Sequence, residues 1–255
     1  MKRYTTIHPL FMSFYSRSLY QDVAMNWKKT SFLYLFLLLA VCSIPGMFKI
    51  QSQVSDYLKR EAPGIIRQVP VIAITKGKVS IDEPMPYVIK DPETNAPLII
   101  IDTTGQVTSL SGSEAMVLMT STKLIIRKGP AETRTLDLSE IDNLRIDQAK
   151  IYDWVDLFTE NFAFVLYPFA LLFSFLFRIL QALIFGVMGM VFAKNLRVPL
   201  SYPAVISLAM VSMTPAIILD TFYNYVEVKV PLWWLISFAI TMGYLFFAVK
   251  ANAEH

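Results

Sequence analysis

The sequence predicts an integral membrane α-helical bundle of about four transmembrane helices, with a β-rich α+β domain inserted between the first and second. Three observations predict it. Apolar residues make up 55% of the 255 positions and charged residues only 17%, where a soluble domain has about a quarter charged. The charges are unevenly spread: Lys49 to Glu160 holds 13 Lys/Arg against 16 Asp/Glu, a net of −3, and the rest holds 10 against 4, a net of +6. Outside that segment, uncharged runs of about 18 residues recur, long enough to cross a hydrocarbon core roughly 30 Å thick.

Residues 1–30 read as a cytoplasmic arm. Leu19, Tyr20, Val23, Ala24 and Trp27 recur at helical spacing with Gln21, Asp22 and Asn26 opposite, the pattern of an amphipathic helix. It lies in the membrane interface or packs on the bundle. Residues 31–48 form the first transmembrane helix. Leu39-Ala40-Val41-Cys42 has some likeness to a lipoprotein cleavage box, but Val41 is too bulky before the cysteine and the preceding arm is long for a signal, so the helix reads as a retained anchor.

Residues 161–193 are uncharged apart from Arg178. Two crossings leave no room for a turn, so the segment is one long transmembrane helix with an extension, or a helix broken near Arg178. Residues 202–222 and 231–249 supply the third and fourth helices, and 250–255 a cytoplasmic tail.

Orientation follows from Lys and Arg near the helix ends. Lys2, Arg3, Arg17, Lys28 and Lys29 precede the first helix, Lys194 and Arg197 follow the second, and Lys250 follows the fourth; the loop between the last two has only Lys229 beside Glu227. Four crossings with both termini in the cytoplasm put every basic cluster inside. Trp27, Trp154, Trp233 and Trp234 all fall at helix ends, where an amphipathic ring prefers the headgroup level.

Residues 49–160 then form an extracytoplasmic α+β domain. A helix over 54–61 is expected to end at Pro63-Gly64. Short β-prone runs follow at 71–75, 79–81, 87–89, 98–101, 116–119, 124–126 and 133–138, separated by turn residues such as Lys76-Gly77, Thr104-Gly105 and Gly129-Pro130. Their close spacing predicts hairpins and an antiparallel sheet. Residues 139–160 read as mostly helical, feeding the second transmembrane helix.

Few residues carry chemistry. Cys42 is the single cysteine and His8 and His255 the only histidines, which excludes an intrachain disulfide and leaves no histidine-based metal site. No cofactor motif is present, and the basic residues are not gathered on one face as a nucleic-acid surface requires. Ile101-Asp102-Thr103-Thr104-Gly105 has the residue types of an aspartic-protease loop, but the extra Thr and the lack of a second loop point to a strand-ending turn in which Asp102 bonds local amides. Arg178, Gln181 and Asp220 form the candidate intramembrane polar site. A charge inside an apolar helix is a functional hypothesis by default; the alternatives are that Arg178 snorkels toward the cytoplasmic face and that Asp220 sits at headgroup level. Pro168 and Pro215 are expected to kink their helices, and Gly186 with Gly189 to allow close helix contact.

Ser13-Phe14-Tyr15-Ser16, Leu19-Tyr20, Asp22-Val23-Ala24 and Trp27-Lys28, followed by an apolar helix ending near Ile44-Pro45, resemble a bacterial family known as domain of unknown function 1189. Pro86-Tyr87, the turn at 101–105 and the stretch from Tyr202 to Pro215 support the resemblance, which covers nearly the whole chain; Arg17 departs from it, where relatives often have proline. The resemblance implies a multi-spanning protein of the bacterial inner membrane. More remotely, the pre-membrane motif and the Tyr…Pro pattern are similar to Yip-type trafficking proteins, which act mainly through partners.

The expected function is therefore a non-enzymatic adaptor, sensor or assembly factor with the lipid bilayer and protein partners or further copies of itself as its contacts. The alternative is a transporter or permease accessory subunit using Arg178, Gln181 and Asp220.

Overall fold

The computed structural model describes residues 3–130, 132–223 and 230–253; Lys2, Glu227, Lys229 and His255 lie outside the described residues. The chain divides into two compact units, one of residues 1–50 with 163–255 and the other of residues 51–162.

The helices are α1 (Pro9–Met12), α2 (Arg17–Asn26), α3 (Thr30–Ile66), α4 (Gln148–Asn195), α5 (Tyr202–Ser212), α6 (Thr214–Tyr223) and α7 (Trp233–Lys250). Four stretches are long and apolar enough to cross a membrane: α3, α4, the joined α5–α6 segment from Tyr202 to Tyr223, and α7. Two of them differ from the sequence expectation. α3 does not give way to a separate helix over 54–61 ending at Pro63-Gly64; it runs unbroken to Ile66. α4 is one helix of 48 residues with Pro168 inside it and no break near Arg178. It begins at Gln148 rather than near 139, because residues Asn143–Ile146 are a strand.

In the first unit, α5 is the centre. Leu208 to Val211 have no exposed surface, and the apolar stretch of α5–α6 is mostly buried whereas that of α7 is mostly exposed. α4 comes close to it at two glycines. A Cβ on Gly189 would lie 2.5 Å from Val205 Cγ1, so something would have to shift to admit one, and a Cβ on Gly186 would lie 3.0 Å from Ile206 Cγ1, a tight contact. The segment is interrupted at Met213. Pro215 has no N–H to return to the Val211 carbonyl, which accounts for the expected irregularity there.

α2 uses its apolar face on the bundle. Leu19, Tyr20, Val23 and Trp27 are fully buried, Tyr20 meets Phe247 edge-on, and the Gln21 amide donates to the Ala251 carbonyl at 2.8 Å. Packing on the bundle is thus the reading that holds for this face. On the opposite side Asp22 is buried as well, and its carboxylate accepts from the Arg3 and Tyr4 amides, Asn26 Nδ2 and Trp27 Nε1. Burial raises the pKa of the Asp22 carboxyl, yet these donors outweigh it and hold the pKa below the ordinary value.

The second unit contains two sheets. The smaller has strand order β2 (Lys78–Ser80), β1 (Ile72–Thr75), β8 (Asn143–Ile146), all antiparallel. The larger has order β3 (Tyr87–Lys90), β4 (Pro97–Asp102), β5 (Val117–Thr120), β6 (Lys123–Arg127), β7 (Thr133–Asp137). The expected antiparallel arrangement holds at every pair but one: β4 and β5 are parallel, with Asp102 opposite Thr120. A parallel neighbour needs a crossover of a dozen or more residues, and the long stretch from Thr103 to Met116 supplies it without a helix. Apolar side chains on the inner faces, among them Ile74, Val79, Ile89 and Ile101, form the main core. At Gly77, φ is +75° and a Cβ would lie 2.5 Å from Ser139 Cα, so the tight β1–β2 turn requires glycine.

Candidate functional site

α4 and α6 carry Arg178 and Asp220 to one place. Arg178 Nη2 lies 3.1 Å from Asp220 Oδ2, and both side chains are about one-fifth exposed, at 18% and 21%. Arg178 Nη1 donates to Gln181 Oε1 at 2.8 Å, a pairing one turn along the same helix. The three residues singled out in the sequence therefore form one cluster.

Two further residues complete it. Trp233 Nε1 donates to Asp220 Oδ1 at 2.8 Å and Ser237 Oγ donates to Asp220 Oδ2 at 3.3 Å. They stand one turn apart on α7, so that helix presents both donors to the same carboxylate. Tyr223 stacks on Trp233 with centroids 4.2 Å apart and planes within 11°, and its hydroxyl accepts from the Val230 amide at 3.0 Å. Trp233 reads in the sequence as a headgroup anchor; the available signal for its second role was its i, i+4 spacing to Ser237.

The Arg178 guanidinium turns to the last turn of α6, where the helix's own partial negative charge also favours a cation. Both Asp220 oxygens are engaged. The pair is neutral as a unit, which is how a charge is accommodated among apolar side chains.

Beside the pair lies a groove of about 310 Å³, lined by Cys42, Ser43 and Gly46 of α3, Ser174 of α4 and Thr221 of α6 among others. Its few hydroxyls mostly serve the backbone: Thr221 donates to the Ile217 carbonyl at 2.9 Å, and Ser43 to the Ala40 carbonyl at 3.3 Å. Among the described residues no group of three or more His, Cys, Asp or Glu side chains is placed to hold a metal.

Asp102 behaves as expected for a strand-ending turn. It is fully buried and accepts from the Thr104 amide and hydroxyl and from the Val107 amide. Burial opposes its ionisation, and these donors more than compensate, holding the carboxyl below its ordinary range.

One protein-family model matches the chain over residues 7–249; its description is a protein of unknown function, DUF1189. No curated protein and no solved structure matches.

Proposed function

The chain belongs to the DUF1189 family, and from that premise we propose that it is a multi-pass protein of the bacterial cytoplasmic membrane, with both termini in the cytoplasm, acting as a non-enzymatic adaptor, sensor or assembly factor. Its working parts are the inserted domain and the helix bundle. Its contacts are the lipid bilayer and a protein partner or a further copy of itself, and not nucleic acid.

One observation carries this reading: several polar groups of the membrane-length helices pair across from one helix to another. Ser31 Oγ donates to Ser207 Oγ at 3.1 Å, Tyr34 and Thr214 share a hydrogen bond of 2.7 Å, and Arg178 is closed on Asp220. A solute route needs polar groups open to its contents; a scaffold needs them closed. The outward apolar faces of α4 and α7, with little of either apolar stretch buried, are free for lipid and for a partner's helices.

In-cell crosslinking followed by purification of the protein with its neighbours tests the proposal. A reproducible partner or a defined homo-oligomer is expected. Recovery of neither, together with measurable solute flux in reconstituted vesicles, sinks it. The second reading, a transporter or permease accessory subunit, draws on the groove beside Arg178 and Asp220; unchanged flux and growth after substitution of Arg178, Gln181 and Asp220 rules against that one.

Topology has its own test. With Cys42 replaced, single cysteines at positions 100, 178, 196, 226 and 253 are expected to be outside, protected or interfacial, inside, outside and inside. A tail labelled from outside overturns the four-span orientation.

A further inference from the structure

We propose that the second unit carries a binding crevice for a neutral saccharide at the carboxyl ends of its two parallel strands. β4 and β5 end side by side at Asp102 and Thr120. Because the two strands run the same way, the segments that follow them leave from the same edge of the sheet, which is where ligand crevices form in parallel arrangements. A crevice of about 450 Å³ lies there, between the loop after β4 and the β5–β6 turn, with Ile125 of β6 and Thr135 of β7 beneath. Those two residues are opposite partners in the register. The volume falls within the range of small-molecule sites.

The lining chooses the ligand chemistry. Hydroxyl side chains dominate, and those of Thr103, Thr108, Ser121, Thr122 and Thr135 line the crevice without a hydrogen bond to any other described residue. A hydroxyl both donates and accepts, so such a set suits a ligand rich in hydroxyls. Two charged residues lie at the site. Asp102 is consumed by the amides and hydroxyl of its own turn, and Lys123 stands opposite Asp137 in the β6–β7 register, so the lysine's charge is offset by a neighbouring carboxylate. The charged comparators below test whether Lys123 recruits an anion instead. Methyl groups of the threonines with Ile125 and Val107 provide apolar surface for the C–H face of a sugar ring. Asp102 is a positioning residue here, holding the 103–107 loop open beside the turn.

This deepens the reading of the inserted domain as the part that recognises something, and rests on it. The same chemistry is offered by a free sugar and by a glycan polymer, so the experiment has an arm for each. Full-length protein in a detergent without a sugar headgroup is titrated calorimetrically with glucose, maltose, N-acetylglucosamine and its β-1,4-linked disaccharide. Insoluble peptidoglycan and cellulose are tested by co-sedimentation. Glucuronate and inorganic phosphate serve as charged comparators. The expected result is saturable binding to at least one neutral saccharide, soluble or polymeric, with no gain for the charged probes. Thr122→Val with Thr135→Val, which keep the side-chain shape, are expected to weaken binding about tenfold through the loss of two hydrogen bonds. If that pair lowers the unfolding temperature, Thr103→Val with Ser121→Ala replaces it under the same expectation. No saturable binding to any neutral saccharide or polymer overturns the proposal, as does preference for a charged probe or unchanged affinity in the folded variant. Absence of sugar binding with a protein partner still recovered by crosslinking removes the crevice alone, whereas flux without a partner removes the adaptor reading whatever the sugars do.

Discussion

Asp220 receives Arg178 on one carboxylate oxygen and Trp233 on the other, at 3.1 and 2.8 Å. Its partners come from α4 and α7, so one side chain ties three helices together. Removing one charge leaves the other uncompensated in apolar surroundings, which costs several kcal/mol; removing both does not. Arg178→Met or Asp220→Leu alone is expected to destabilise the protein by about 3 kcal/mol, and the double variant to recover most of that. Thermal unfolding in mild detergent measures all four members of the cycle. Additive losses mean that the two charges do not act as a pair.

The glycine contact between α4 and α5 makes a sharper prediction because a control sits in the same bundle. At Gly189 a Cβ meets Val205 Cγ1 at 2.5 Å and Leu245 Cδ2 at 3.3 Å, while at Gly243 nothing lies within 4 Å. Gly189→Val is expected to cost about 2 kcal/mol or more through overpacking, and Gly243→Ala to be neutral or to stabilise by up to about 1 kcal/mol. Equal unfolding temperatures for the two variants refute the close approach.

Asp102 gives the second unit a pH signature. Its folded pKa lies below the ordinary 3.8, so its stabilisation is fully present above that value and is lost as pH falls through the folded pKa. Asp102→Asn turns an acceptor into a donor facing amide donors and is expected to cost about 1–3 kcal/mol at neutral pH. The difference from the parent should hold steady from neutral pH down to about pH 5 and shrink in acid. Denaturant melts at a series of pH values decide it; a difference that widens in acid contradicts the geometry.

Asp22 predicts the behaviour of the arm. With Asp22→Ala, the Arg3 and Tyr4 amides and the Trp27 indole lose their common acceptor. Hydrogen exchange at those two amides should speed up by at least tenfold, and brief trypsin treatment should cut after Arg3 or Arg17 where the parent resists. Unchanged exchange would mean that the arm is held by apolar packing alone.

How much of this was legible beforehand differs by element. The seven strands expected from β-prone runs between turn residues correspond to β1 through β7, because Lys76-Gly77, Thr104-Gly105 and Gly129-Pro130 punctuate the chain locally. β8 was missed, since Asn143-Leu144-Arg145-Ile146 is too short and polar to stand apart from the helix that follows. The parallel β4–β5 pair was also invisible: register across a long crossover is a property of the folded sheet and not of either strand. Pro63-Gly64 is a strong local stop signal, yet α3 passes through it, as tertiary context overrides propensity. Arg178, Gln181 and Asp220 were each conspicuous as polar residues in apolar helices. That they form one cluster depends on where α4 and α6 cross, and the contributions of Trp233 and Ser237 depend on α7. The burial of Asp22 was not legible, because nothing in the helical spacing anticipates a second layer of backbone folding over the polar side of α2.

α5 has a consequence for biosynthesis. Its neighbours α2 and α4 precede it in the chain and α7 follows it, so the side of α5 that packs on α7 is covered only when the last helix is made. A chain stalled before Trp233 would hold Asp220 through Arg178 alone, without the Trp233 and Ser237 donors. The last helix thus closes the bundle on the one side that the earlier helices leave open.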